Sequence, residues 1–322
     1  MNSRFILIEP RITPLIFSRR AEAPVATFMA IGRSRPILVI AGLTAFCLTG
    51  GSFGAIPRVF ALSEPAYCTT LGGSWDGVST CTFTGPYTLS SGTLEITSGT
   101  VLVVTGGLGI TVGSGASITV DSGGAITIKN AVVGGITLGS GATMTVGGGS
   151  TVTVENSLAY GIDDMGTLAN SGTIDIKNVG SSDGIYDPGT VTNSGTITIE
   201  NAGNVGVFIP AGGLLTNTGT IDIKNPAFSY GIMNHSAINN FGTITIEITG
   251  GIGLDNFGAV TNECGGVVNG SITEESGGSF IQLTRCATVP EFAIPGLGPL
   301  ALIAAALPAL LFTTRRLRRS SG

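Results

Sequence analysis

The sequence predicts an all-β chain wound into a right-handed parallel β-helix of three-strand coils, on three observations. One motif recurs as AITIKN, TVTVEN, TIDIKN, TITIEN, TIDIKN and TITIEI, beginning at Ala125, Thr151, Thr173, Thr196, Thr220 and Thr243. The starts are 26, 22, 23, 24 and 23 residues apart. A period in the low twenties with one strongly β-forming segment per repeat is that of a solenoid, whose turns bury a core only by stacking. Second, the fifth position alternates strictly in sign: Lys129, Glu155, Lys177, Glu200, Lys224, Glu247. This alternation matters only if successive turns are direct neighbours, as in parallel strands about 4.8 Å apart, where a whole-turn slip would set lysine on lysine. Third, 51 glycines and only 6% aromatic residues among 322 fit many short strands joined by tight turns.

Taken in order, residues 1–61 read as an export signal. Arg33 and Arg35 precede the apolar run Pro36 to Phe46, and Val59-Phe60-Ala61 offers small residues at a cleavage site. Cleavage is expected after Ala61, and initiation at Met29 would give a signal of conventional length. Residues 62–87 are expected to form an N-terminal cap. The segment Cys68-Thr-Thr-Leu-Gly72-Gly73-Ser-Trp75 through Cys81 resembles capping segments that precede β-helical repeats in archaeal and bacterial surface proteins. In an oxidising compartment, Cys68 with Cys81 and Cys264 with Cys286 would each close a short loop at one end of the solenoid; a four-cysteine zinc site is the competing reading.

Residues 88–286 are assigned to the β-helix. Within Thr173–Lys177, Ile174 and Ile176 point inward while Thr173, Asp175 and Lys177 face water. About 200 residues at roughly 23 per turn give eight or nine turns and a rod ~40 Å long. Two asparagine series mark the corners, Asn170, Asn193, Asn217, Asn240 and Asn262 in one, Asn130, Asn156, Asn178, Asn201 and Asn225 in the other. Both are expected to form side-chain ladders, and asparagine also tolerates left-handed turns. Glycan attachment motifs occur only at Asn234-His235-Ser236 and Asn269-Gly270-Ser271.

Residues 287–292 form a linker ending in Pro290, Glu291 and Phe292; residues 293–312 are an apolar stretch long enough to cross a bilayer, interrupted by Pro295, Pro299 and Pro308. The tail 313–322 carries Arg315, Arg316, Arg318 and Arg319, expected on the cytoplasmic side. A VPEF motif, one span and a basic tail resemble PEF-CTERM sorting signals handled by archaeosortases, and more loosely the PEP-CTERM signals handled by exosortases. The resemblance covers about the last 34 residues, and it implies cleavage near the motif by a membrane transpeptidase and transfer to a surface anchor.

A net charge of −5 argues against a nucleic-acid partner, which needs a basic face. No catalytic residue is assigned. Asp163-Asp164 is the only adjacent aspartate pair and suits a turn; His235, the single histidine, has no partner implied by the sequence; Gly147-Gly148-Gly149 falls between strands, not before a helix. No cofactor or metal is expected. The sequence thus points to an exported, membrane-anchored surface solenoid with a structural or adhesive role. Its expected partners are membrane lipid, the sorting transpeptidase, and extracellular glycans or envelope polymers. A β-helical polysaccharide lyase or hydrolase is the alternative. Ice binding through the Thr151, Thr173, Thr196, Thr220 and Thr243 column is disfavoured by the charges beside it.

Overall fold

Short alternating strands with one buried face are unstable alone, and stacking each on its copy from the previous turn satisfies both their hydrogen bonds and their apolar faces. The computed structural model, which describes residues 59–62, 65–228 and 230–284, shows this arrangement. The result is an all-β parallel solenoid of about nine turns, and its strands form three sheets. The ladder sheet has ten strands, from Ser74–Trp75 to Val267–Asn269; the ring sheet has nine, from Tyr87–Leu89 to Ile272–Glu274; the hydroxyl sheet has ten, from Val59–Ala61 to Ser279–Gln282. The chain visits them in that order, one strand each per turn. Among the described residues only Ser74–Trp75 pairs antiparallel, with Thr80–Phe83.

The register follows the repeat. Thr173–Lys177 lies on Thr151–Glu155 below and Thr196–Glu200 above, residue for residue, so Lys177 is the direct partner of both Glu155 and Glu200. Inward positions form apolar columns such as Val152, Ile174, Ile197, Ile221 and Ile244, all essentially inaccessible to water. A one-residue slip would turn every such column outward. Gly161, Gly184, Gly206 and Gly231 enter successive ring-sheet strands. A Cβ there would collide with the Cγ2 of Ile176, Ile199, Ile223 and Ile246 respectively, so only glycine lets the corner close onto the core.

The two asparagine series turn out to be physically different. Asn130, Asn156, Asn178, Asn201 and Asn225 adopt φ of 49 to 57° at the exit from the ladder sheet, the left-handed geometry that asparagine tolerates. Their side chains join at the surface, Asn178 Nδ2 donating to Asn156 Oδ1 at 3.3 Å and Asn201 Nδ2 to Asn178 Oδ1 at 3.0 Å. The other series ends the hydroxyl-sheet strands and is buried. Asn170, Asn193, Asn217 and Asn240 each donate to the Oδ1 of the next rung at 2.6–2.8 Å and also to a backbone carbonyl across the corner.

At the N-terminal end the helix Pro65–Thr70 and the hairpin that follows it cover the core. Cys68 and Cys81, both fully buried, form a disulfide, and Trp75 packs against the apolar interior. Asp76 fixes the hairpin turn by accepting hydrogen bonds from the amides of Val78, Ser79 and Thr80 at 2.8–3.0 Å. Val59–Ala61 pairs in parallel with Thr93–Glu95, so the expected cleavage after Ala61 falls at the end of a sheet strand. Cys264 is also disulfide-bonded, and its Sγ lies 3.7 Å from the Leu283 carbonyl oxygen. Its expected partner Cys286, most of the signal segment, the PEF motif, the apolar stretch 293–312 and the arginine tail lie outside the described residues. Among the described residues no helix is long and apolar enough to cross a membrane.

Candidate functional site: the outer faces and an interior acid pair

Because each strand alternates, every sheet presents columns of outward side chains that run along the solenoid, and these columns are the surfaces available for recognition.

On the ladder sheet the six alternating charges stand in one column, in register from Lys129 to Glu247. The ammonium groups do not all bond along that column. Lys129 Nζ meets Glu155 Oε2 at 3.3 Å, whereas Lys177 Nζ meets Asp175 Oδ2 at 2.6 Å and Lys224 Nζ meets Asp222 Oδ2 at 2.9 Å. The aspartate two residues back shares the outer face with its lysine, so the long lysine side chain can turn along its own strand to that carboxylate instead of across to the glutamate of the next turn. These contacts hold the Lys177 and Lys224 pKa values above the ordinary lysine value, with the glutamates contributing smaller attractions. The ladder is thus a two-column network, and the aspartate column that alternates with threonine is part of it.

The hydroxyl sheet is different in kind. Its two outward columns read Ser117, Thr143, Thr167, Thr190, Leu214, Ala237, Ala259 and Thr119, Thr145, Ala169, Thr192, Thr216, Asn239, Thr261, in register turn by turn. No outward position between Ser117 and Thr261 is charged; the first charge below is Glu95. Neighbouring hydroxyls are within bonding reach, as Thr93 Oγ1 and Ser117 Oγ show at 2.7 Å. The threonine column singled out from sequence lies on the charged ladder sheet, so the charge-free hydroxyl face was missed. Its signal was present in the less regular strands that carry Thr143, Thr145, Thr190 and Thr192.

The ring sheet carries an aromatic stripe along its outer edge. Tyr160, Tyr186, Phe208, His235 and Phe257 contact one another in sequence with ring centroids 5.3, 5.6, 5.4 and 4.5 Å apart. His235 therefore has ring partners that no local motif announces.

Behind that stripe, the innermost column of the ring sheet reads Leu89, Val112, Leu138, Asp164, Asp187, Ile209, Asn234, Asn256. Asp164 and Asp187 have no exposed surface. Asp164 Oδ1 accepts from the Gly166 amide at 2.9 Å, but its Oδ2 and both oxygens of Asp187 are buried without a hydrogen-bond partner. Burial drives the Asp164 carboxyl up to about 6 and the Asp187 carboxyl up to about 8, the latter raised further by the Asp164 charge, against the lowering effect of the nearby Gly166 and Leu168 amides on the first and the Gly189 and Val191 amides on the second. Asp163 faces outward on the same strand, with its pKa also raised by partial burial. Shielded from solvent, Asp164 and Asp187 are out of reach of any polymer lying on the outer faces. Asn234, in a glycan attachment motif, is likewise fully buried, donating to Asn256 Oδ1 at 2.8 Å. Asn269 is exposed, its Nδ2 3.4 Å from Thr245 Oγ1. Among the described residues no three histidine, cysteine or acidic side chains are grouped so as to hold a metal ion.

No protein-family profile and no curated protein matches the chain. Among solved structures, a hyper-glycosylated TibA fragment modified by TibC aligns with 71% of this chain and 96% of its own length, at 18% identity and a TM-score of 0.16. Superposition at that level carries no argument, and the assignment of the fold rests on the strand register described above.

Proposed function

We propose that the protein is an exported cell-surface solenoid whose work is adhesive or structural display, with the hydroxyl sheet as its contact face for neutral glycans or envelope polymers. The observation that carries the reading is the pair of in-register outward columns, free of charge over seven strands and bearing a hydroxyl at most positions, on a scaffold whose lysines all stand on another sheet. A repeated surface of this kind offers many equivalent weak hydrogen-bonding contacts, which sum to useful avidity along an extended polymer. The Cys68–Cys81 disulfide supports an oxidising, extracytoplasmic location. The signal-like segment 1–61 and the PEF-type C-terminus support export followed by processing and surface anchoring by a membrane transpeptidase.

The test is retention of the purified protein on immobilised neutral and acidic polysaccharides, comparing wild type with Thr143→Glu/Thr192→Glu. Binding to neutral polymers that the double variant loses supports the assignment; equal retention of both proteins, or of neither, removes it. Mass spectrometry of the chain recovered from cells tests export and sorting, which predict loss of the N-terminal segment and a modified end near Phe292. A second reading, ice binding, gains support from the same charge-free threonine face, and thermal hysteresis in the purified protein separates it from the first.

A further inference from the structure

In the hydroxyl sheet, and again at Asn234 and Asn256 in the ring sheet, buried asparagines do two jobs. The side-chain oxygen accepts from the amide two residues on, as Asn170 does from Gly172, Asn234 from Ser236 and Asn256 from Gly258, at 3.1–3.2 Å. The Nδ2 group then donates to the next rung. Asp164 does the first job identically, with its Oδ1 on the Gly166 amide. Its Oδ2 sits where an asparagine carries its donor, and the neighbouring rung is Asp187, whose oxygens make no hydrogen bond of good geometry and face only the backbone amides of Gly189 and Val191. Equivalent atoms of adjacent turns are ~4.8 Å apart before side chains adjust. Two ionised carboxylates in that setting would repel with no cation to offset them, whereas one proton converts the pair into a donor and an acceptor.

The geometry points to a proton-binding site: Asp164 and Asp187 share one proton at neutral pH and together replace two rungs of an interior asparagine ladder, making the middle of the solenoid firmer in acid than in base. The surroundings leave the proton as the natural bridging group. Leu138 lies below Asp164, and Ile209 above Asp187. On the same sheet the other acidic groups nearby are Asp163, which faces outward, and Asp183, whose Oδ1 already accepts from Asn204 and the Val205 amide. The hydroxyl-sheet strands of these turns turn Leu168, Asn170, Val191 and Asn193 inward. The ladder-sheet strands turn Ile174, Ile176, Ile197 and Ile199 inward and hold Asp175, Lys177 and Glu200 on the outer side. No cationic side chain therefore faces the pair.

The sign follows from linkage. Both carboxyls bind protons more tightly folded than unfolded, so their contribution is complete below the ordinary aspartate range near pH 4 and is lost as pH rises through about 6 and then about 8. The experiment is urea unfolding of the full chain between pH 4 and 9, for wild type and Asp164→Asn/Asp187→Asn. The expected result is a folding equilibrium constant for wild type that falls at least about tenfold over that interval, with a much flatter profile for the double variant and a higher unfolding midpoint at pH 8. A wild-type profile that is flat, or that the double variant retains, overturns the proposal. Infrared difference spectra keep the test independent of variant folding: native wild type at pH 7 should show a protonated-carboxyl stretch absent from ionised aspartate, and its absence refutes the shared proton. Calcium stabilising wild type at pH 8 but not the double variant would make the pair a cation site and overturn the assignment to a proton.

Discussion

Replacing Asn217 by valine tests whether the buried asparagine ladder holds the turns together or merely fills space. Valine is compatible with the column, since Val120 and Val146 occupy it in earlier turns. In the native protein Asn217 Oδ1 accepts from Asn193 Nδ2 at 2.8 Å, while its own Nδ2 donates to Asn240 Oδ1 at 2.8 Å and lies 3.2 Å from the Thr243 carbonyl oxygen. After substitution Asn193 still reaches the Thr220 carbonyl oxygen at 3.0 Å, so the donor side is mostly kept. The losses fall on three acceptors, Asn240 Oδ1, Thr243 O and Gly219 O, of which the last still accepts from the Thr243 amide, leaving two to count in a region closed to water. At about 1–3 kcal/mol for each buried polar atom left unpaired, reduced by the apolar gain of valine, the expected cost is about 2–4 kcal/mol. For a domain of this size that lowers the melting temperature by about 5–15 °C. Urea unfolding followed by far-ultraviolet circular dichroism measures it. A companion variant, Asn217→Asp, keeps the shape but loses the donor when ionised, and should be closer to wild type at pH 4 than at pH 8. If Asn217→Val lies within about 0.5 kcal/mol of wild type, the ladder contributes packing alone and the reasoning fails.

Other expectations follow from the same geometry. Glu200→Lys would stack three lysines in one column at Lys177, position 200 and Lys224; unfolding should show a loss of about 0.5–1 kcal/mol that molar salt largely removes. Cys81→Ser opens the disulfide that holds the N-terminal cap, and a loss of about 3 kcal/mol is expected, mirrored by adding reductant to wild type. Asn178 has a φ of 55°, so Asn178→Val should cost about 1–2 kcal/mol more than Asn178→Gly in the same denaturation assay. Asp76 is held well below the usual carboxylate range by the Thr80, Val78 and Ser79 amides, and its contribution is present above about pH 4 and lost as pH falls further. Hydrogen-exchange protection in the cap hairpin, taken relative to the intrinsic rate at each pH, should therefore fall in strong acid, and Asp76→Ala should lower it already at pH 7.

Much of this protein was legible in its residues because a solenoid repeats its instructions. The period, the parallel stacking, the inward Ile174 and Ile176, and the placement of Lys177 over and under glutamates all follow from a pattern stated six times with alternation of two. What repeats was readable; what depends on the corner between repeats was not. The sequence showed two asparagine series but gave no means of telling that Asn178 sits outside in a left-handed turn while Asn193 sits inside with no exposed surface, since burial at a corner depends on which way the chain bends there. No local signal marks Asp187, because its neighbours Tyr186 and Pro188 differ from those of Asp164. Only alignment on Gly161-Ile162 and Gly184-Ile185 puts the two carboxyls in one column. The lysines were expected to pair between turns, and for Lys177 and Lys224 the choice of an aspartate on their own strand was decided by side-chain reach in the folded sheet. Composition and period thus determined the coil and its register, because they concern averages over many turns. The tertiary structure decided which outer face is free of charge and which carboxyls lose water, because both depend on distances between residues more than twenty positions apart.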